Sequence, residues 1–139
     1  MRTYDPAKVL PSFLGGILTG FADGTFIEAE RNEDGFALVV GASGEAARAQ
    51  SRNRSGRITF TILSTSVTND FLSAIATADE LLGTGVGEFQ MIELGGSTLL
   101  HASNAWIMKQ PKIERGKEVS NVEWVIECES LEVFAGGLL

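Results

Sequence analysis

Apolar and polar residues alternate with a period of two along most of this chain, the pattern of strands with one buried face. Arg57–Thr65 shows it best: Ile58, Phe60 and Ile62 alternate with Thr59 and Thr61, and β-branched residues suit a pleated, half-buried surface. Lys8–Leu14 and Gly16–Phe21 form an expected first pair around Gly15-Gly16. Asp23-Gly24 then reads as a tight hairpin turn, because both residues tolerate positive φ. Thr25–Arg31 follows as a strand with Phe26, Glu28 and Glu30 on one face and Ile27, Ala29 and Arg31 on the other. Asn32–Gly35 is a second turn, leading into Phe36–Val40.

Three further strands are expected at Glu88–Leu94, Thr98–Lys109 and Val119–Phe134. In the last, Val122, Trp124, Ile126 and Cys128 point one way while Glu123, Val125, Glu127 and Glu129 point the other. Leu131 and Val133 then break the phase, which predicts a bulge near Ser130. One stretch has helical period instead. Phe71, Leu72, Ile75 and Ala76 form an apolar stripe, Thr68 or Asn69 can cap it, and Asp70 suits the positive end. The helix spans about Asn69–Leu82. About eight strands and one helix make a mainly β chain, expected as one domain over 1–139: a β-sandwich or partly closed barrel with one flanking α-helix.

The segment Gly41–Gly56, GASGEAARAQSRNRSG, breaks the alternation. It is small, polar and basic, with Arg48, Arg52 and Arg54, and Arg57 just beyond. It is a long excursion between strands or a polar edge strand with a loop; spacing leaves both open. Segments of this length in compact chains are usually functional or disordered. The arginines are a solvated loop or a contact with carboxylates of another subunit, where guanidinium forks pair bidentately.

Charge and composition narrow the function. A net charge of −7 argues against gripping nucleic acid by its phosphates, which needs a positive surface. Hydrophobic residues make up 44% and 16 glycines add to them, taking the apolar share above the usual ~45–50%. Apolar surface in excess of what a modest chain can bury suggests contact with other subunits. Met1–Pro6 carries no basic-then-apolar leader, so an ordinary cytosolic start is expected. No apolar run approaches the length that spans a membrane.

Catalytic chemistry finds little material. His101 is the sole histidine, set in an alternating apolar strand without triad companions, so a core or interface contact is expected rather than a general base. Cys128 is the sole cysteine and shares its face with Trp124 and Ile126, as a buried inert thiol would. No phosphate-cradling loop, zinc spacing or calcium-loop spacing occurs. The expectation is no enzyme, no cofactor and no metal. The row Glu123, Glu127 and Glu129 is most simply a wet strand face, though copies in a ring would multiply it into a strong one-signed field.

Taken in order, GFADGTFIEAERNEDGF, GASGEAARAQSRNRSGRITFTILSTSVTNDFLSAIATAD, AWIMKQPKIERGKEVSNVEWV and a terminal AGG resemble the tail tube proteins of contractile-tailed bacteriophages, over essentially the whole chain. The resemblance implies a β-sandwich-like protomer with a flanking helix, hexameric rings, and rings stacked into a hollow tube inside a contractile sheath. It implies sheath, baseplate, tape measure and tail terminator proteins as partners, a virion location after synthesis in the host cytoplasm, and DNA passing through without specific binding. Related tubes occur in contractile bacteriocins and type VI secretion. Within that frame, Gly41–Gly56 is expected to be an inter-protomer or inter-ring arm whose arginines (Arg48, Arg52, Arg54, Arg57) bridge subunits. Glu28, Glu30, Glu123, Glu127 and Glu129 are the candidate lumen-facing acids. The competing classes are a small-ligand barrel with Trp106, Trp124 and Phe residues around an internal pocket, and another virion β-protein such as a capsid decoration protein.

Overall fold

The computed structural model describes residues 1–137. A short 3-10 turn at Pro6–Lys8 precedes β1 (Val9–Phe13) and β2 (Gly16–Ile17), and β3 (Ile27–Arg31), β4 (Phe36–Val40), β5 (Ala46–Gln50) and β6 (Gly56–Leu63) follow. The helix α1 (Thr68–Leu82) leads to β7 (Gly87–Glu93), β8 (Leu99–Ile107), β9 (Asn121–Cys128) and β10 (Glu132–Phe134). Eight strands form one antiparallel sheet in the order β2-β1-β7-β8-β9-β6-β3, with β10 also on β8; β4 and β5 pair only with each other.

Alternation places the core. β6 buries Ile58, Phe60 and Ile62, and its partner β9 buries Val122, Trp124, Ile126 and Cys128. Phe13 of β1 and Phe89 of β7 complete the same apolar cluster with Leu72 of α1. Each such side chain contributes roughly 1.5–3 kcal/mol by leaving water. Near its two margins the sheet is drawn together: the Leu18 N–H donates to Pro11 on β1 (3.0 Å) and the Leu63 N–H on β6 donates to Gly20 (2.8 Å). The sheet therefore curls without closing into a barrel.

The helix begins one residue before the expected start. Neither Thr68 nor Asn69 is its cap; Val67 holds that position, and the Ser66 hydroxyl accepts the Thr68 N–H at 3.2 Å. Thr68 is buried instead, its Oγ1 accepting the Thr19 N–H at 3.1 Å. Asn69 turns inward, and the Trp124 indole N–H donates to its Oδ1 at 3.0 Å. Gly83, with φ 68°, ends the helix and donates to the Asp79 carbonyl.

Asp23-Gly24 is a turn but not a hairpin. Phe21 bridges Ile62 and Ile27 pairs with Phe60, so the chain runs along β6 in one direction on both sides of it. Residues 22–25 bulge from that edge, anchored where the buried Ala22 donates its N–H to Thr61 (3.0 Å) and the Phe26 carbonyl accepts from Thr61 (2.9 Å). The Phe21 and Phe26 rings meet at the neck with centroids 4.9 Å apart. The segment is an excursion within one strand path.

Val119–Phe134 divides into β9 and β10, and the phase changes as expected, Cys128 and Leu131 being both fully buried, but the expected bulge near Ser130 is absent. Cys128 faces Ala105 and Glu132 faces His101, so the alignment on β8 is the same on either side. β8 changes faces at the same level, burying Leu100 and Ala102 and then Ala105 and Ile107. Its bulge is against β7, where Ser103 and Asn104 lie opposite Glu88 alone.

Candidate assembly surfaces

The longest feature outside the core grows from the β3–β6 pair. The Arg31–Gly56 pairing is continued by the Asn32 N–H to Ser55, then by the Ser51 N–H to Gly35, and then by the β4–β5 ladder from Phe36–Gln50 to Val40–Ala46. β3–β4 and β5–β6 are thus one long ribbon whose distal half leaves the sheet. The polar stretch SRNRS supplies its joint. Asn53 Oδ1 accepts from the Ser55 N–H and hydroxyl (3.1 and 2.7 Å), Asn32 donates to Ser55 Oγ (3.0 Å), and Ser51 Oγ donates to Glu33 (3.1 Å). Short polar side chains thereby satisfy turning backbone.

This arm corrects the expected bounds. Gly41–Gly56 contains its tip, its return strand β5, its joint and the first residue of β6; the outgoing strand is Phe36–Val40. Every residue of β4 and β5 is exposed, with Phe36 at 49%, Leu38 at 74%, Val39 at 51% and Val40 at 60%. An isolated two-stranded hairpin is marginal in water, and this one is largely apolar with both faces wet. Arg48 stands opposite Leu38, its guanidinium 4.1 Å from the Phe36 ring centroid. It is the one charge within the two arm strands. Arg52 and Arg54 lie exposed in the joint.

Arg57 is elsewhere. On the outer face of β3–β6–β9 it stands in register between Glu30 and Glu127. Glu28 pairs with Thr59 and Glu123 with Thr61 on this same face. Glu129 adjoins it, accepting from Asn104 Nδ2 at 3.0 Å. The five candidate acids therefore lie on one continuous outer surface with Arg57 among them, and the four arginines do not form one cluster.

A cavity of about 890 Å³ opens at the other end of the ribbon, where β3 begins and β6 ends. Tyr4, Val9, Phe21, Phe26, Leu63 and Met91 give it a largely apolar wall, and Asp23 and Glu93 add carboxylates. Sequence reasoning missed it, because the excursion at 22–25 that builds one wall reads as a plain turn. A second apolar feature crosses the outer face of the sheet as the registered row Leu10, Ile92, Leu99 and Phe134.

The titratable residues show no catalytic arrangement among the described residues. His101 is partly exposed on an outer face, 3.7 Å from Glu88 and 3.8 Å from Glu132. Cys128 is fully buried; burial pushes its thiol above the ordinary value, and Sγ donates to the Gly56 carbonyl at 3.4 Å. No group of three or more His, Cys, Asp or Glu side chains among the described residues could hold a metal ion. Trp124 is sealed in the core and Trp106 is partly buried beside Glu127; neither lines the large cavity, whose aromatic wall is Tyr4, Phe21 and Phe26.

Comparison with known proteins decides the family. The profile of the family described as "Bacteriophage PhiTE tail tube protein" matches residues 12–136. The chain belongs to this phage tail tube family. A curated relative, "Structural protein ORF10" of Pseudomonas phage KPP10, is 27% identical over 143 aligned residues, covering 97% of this chain and 83% of its own length. Among solved structures, the fold is similar to a chain of an anti-feeding prophage tube-terminating cap, with TM-score 0.62, 9% identity and coverage of 96% and 92%. It is also similar to a chain of the sheath/tube terminator of an extracellular contractile injection system, with TM-score 0.60, 11% identity and coverage of 97% and 99%. A chain from the virion of a native gene transfer agent gives TM-score 0.56, 14% identity and coverage of 96% and 100%. The tail tube family makes this a structural protein of the virion tail.

Proposed function

We propose that the protein forms six-membered rings that stack into a hollow tube within a contractile sheath, a passive conduit for the genome. The observation that carries this reading is the arm: ten strand residues, apolar except at Arg48 and Gln50, stand in water with no core of their own. Only another copy supplies that core in a tube built from a single chain, and a head-to-tail contact of this kind generates rings or stacks rather than closed pairs. Arg48, Arg52 and Arg54 bridge subunits at the arm and its joint.

The outer face bearing Glu28, Glu30, Glu123, Glu127 and Glu129 lines the lumen. Like charge keeps DNA from adhering, with repulsion limited to about the 8–10 Å of a Debye length in physiological salt. Arg57 moderates the repulsion between Glu30 and Glu127 within that face. The tube makes or breaks no bond. Sheath, baseplate, tape measure and terminator proteins are its partners in the tail.

Negative-stain microscopy tests the reading. The wild-type chain should give hollow tubes, and replacing Arg48, Arg52 and Arg54 together by Ala should abolish them while leaving a folded monomer. Unchanged tubes from that variant would sink the arm assignment. A map with the five acids on the outer wall would sink the lumen assignment.

A further inference from the structure

The arm and the large cavity lie at opposite ends of one ribbon. β3 and β6 pair from Ile27–Phe60 to Arg31–Gly56; the arm leaves beyond Arg31 and Gly56, and the cavity is lined by Phe26, Ile27 and Leu63 at the other end. At about 3.3 Å per residue, the eight residues of β6 separate the two by roughly 23 Å, and the five-residue arm strands project by a further ~15 Å. The two surfaces also match in chemistry. The arm face holding Phe36, Leu38 and Val40 carries one charge, Arg48. The cavity has a mostly apolar wall and two carboxylates, Asp23 and Glu93.

We infer that the cavity between the 22–25 excursion and the β1–β7 margin is the socket for the arm of a second copy of this chain, with Leu38 entering it and Arg48 meeting Asp23 and Glu93. This rests on the arm reading above and extends it by naming the receiving site. A plug and a socket at opposite ends of one protomer are too far apart to meet within a chain, and between copies they make a heterologous contact. They propagate along the ribbon direction, one copy seating the next. The socket also gives the excursion a task. Phe21 and Phe26 close its neck at 4.9 Å, which holds Asp23 out at the cavity, where a straight edge strand would have left neither wall nor carboxylate.

Cross-linking decides it. In a chain carrying Thr25→Cys and Leu38→Cys, mild oxidation of assembled tubes should give a ladder of multimers on a non-reducing denaturing gel. Either cysteine alone should give none beyond dimers, and native Cys128, fully buried, should not contribute. Independently, Arg48→Asp should lower tube yield at least tenfold, and adding Asp23→Arg with Glu93→Arg should restore it. A ladder from Leu38→Cys with Leu99→Cys, and none with Thr25→Cys, would place the arm on the outer apolar row and overturn the socket while leaving the arm reading intact. Failure of the reversed charges to restore tubes would also overturn it. Normal tubes from the triple arginine-to-alanine variant would instead remove the arm reading itself.

Discussion

The two halves of the long ribbon differ in what surrounds them, not in how they are paired. In the β6 half, Ile58, Phe60 and Ile62 are wholly buried in the core, while the β4–β5 half, beyond a joint where the register shifts by one residue, exposes Leu38 and Val40. Hydrogen bonding along the ladder is alike in both. The contrast shows that backbone pairing fixes the path of a strand but does not make it stable; apolar burial does that, and in the proposed tube the arm finds its burial in another copy.

The largest test of this contrast is in the body. Trp124→Ala empties a fully buried indole site and leaves Asn69 Oδ1 without its donor. A loss of about 3–5 kcal/mol is expected for such a truncation, read as a lowered denaturation midpoint of the monomer. A smaller effect is expected where the halves join. A Cβ at Gly56 would lie 2.6 and 2.7 Å from Leu131 side-chain atoms and 3.0 Å from the Glu30 carbonyl, so Gly56→Ala should cost about 1–3 kcal/mol by overpacking, measured by urea unfolding. The smallest is in the arm. Leu38→Ser should change monomer stability by no more than ~0.5 kcal/mol, as surface substitutions do, yet remove tubes from electron micrographs. A monomer destabilised as much by Leu38→Ser as by Trp124→Ala would erase the distinction.

What could be read from sequence follows the same division. The strict alternation of β6 and β9 and the stripe of α1 were legible because their own chain buries them. Phe36–Val40 was legible as a strand, but its place in the arm was not, because hydrophobicity does not say whose core a run such as FALVV fills. Arg57 fell in with Arg48, Arg52 and Arg54 by proximity in sequence, though register sets it between Glu30 and Glu127. The acids were legible as wet strand faces, and Glu28 and Glu30 of β3 share theirs with Glu123 and Glu127 of β9 only because β6 lies between the two strands. The excursion at 22–25 escaped because an Asp-Gly pair marks a turn equally well whether or not the flanking strands pair with each other. The cavity it walls was hidden with it.

Continuity of the ribbon gives the arm the arithmetic of a measuring rod. Two residues added to each of β4 and β5 would lengthen it by about 6.7 Å and keep Leu38 and Arg48 facing as they do. One residue added to each would turn that face through half a circle. Spacing between successive copies should therefore be adjustable by even insertions and ruined by odd ones, with Gly41–Gly44, whose Gly44 N–H closes on Gly41 at 3.0 Å, carried unchanged at the tip.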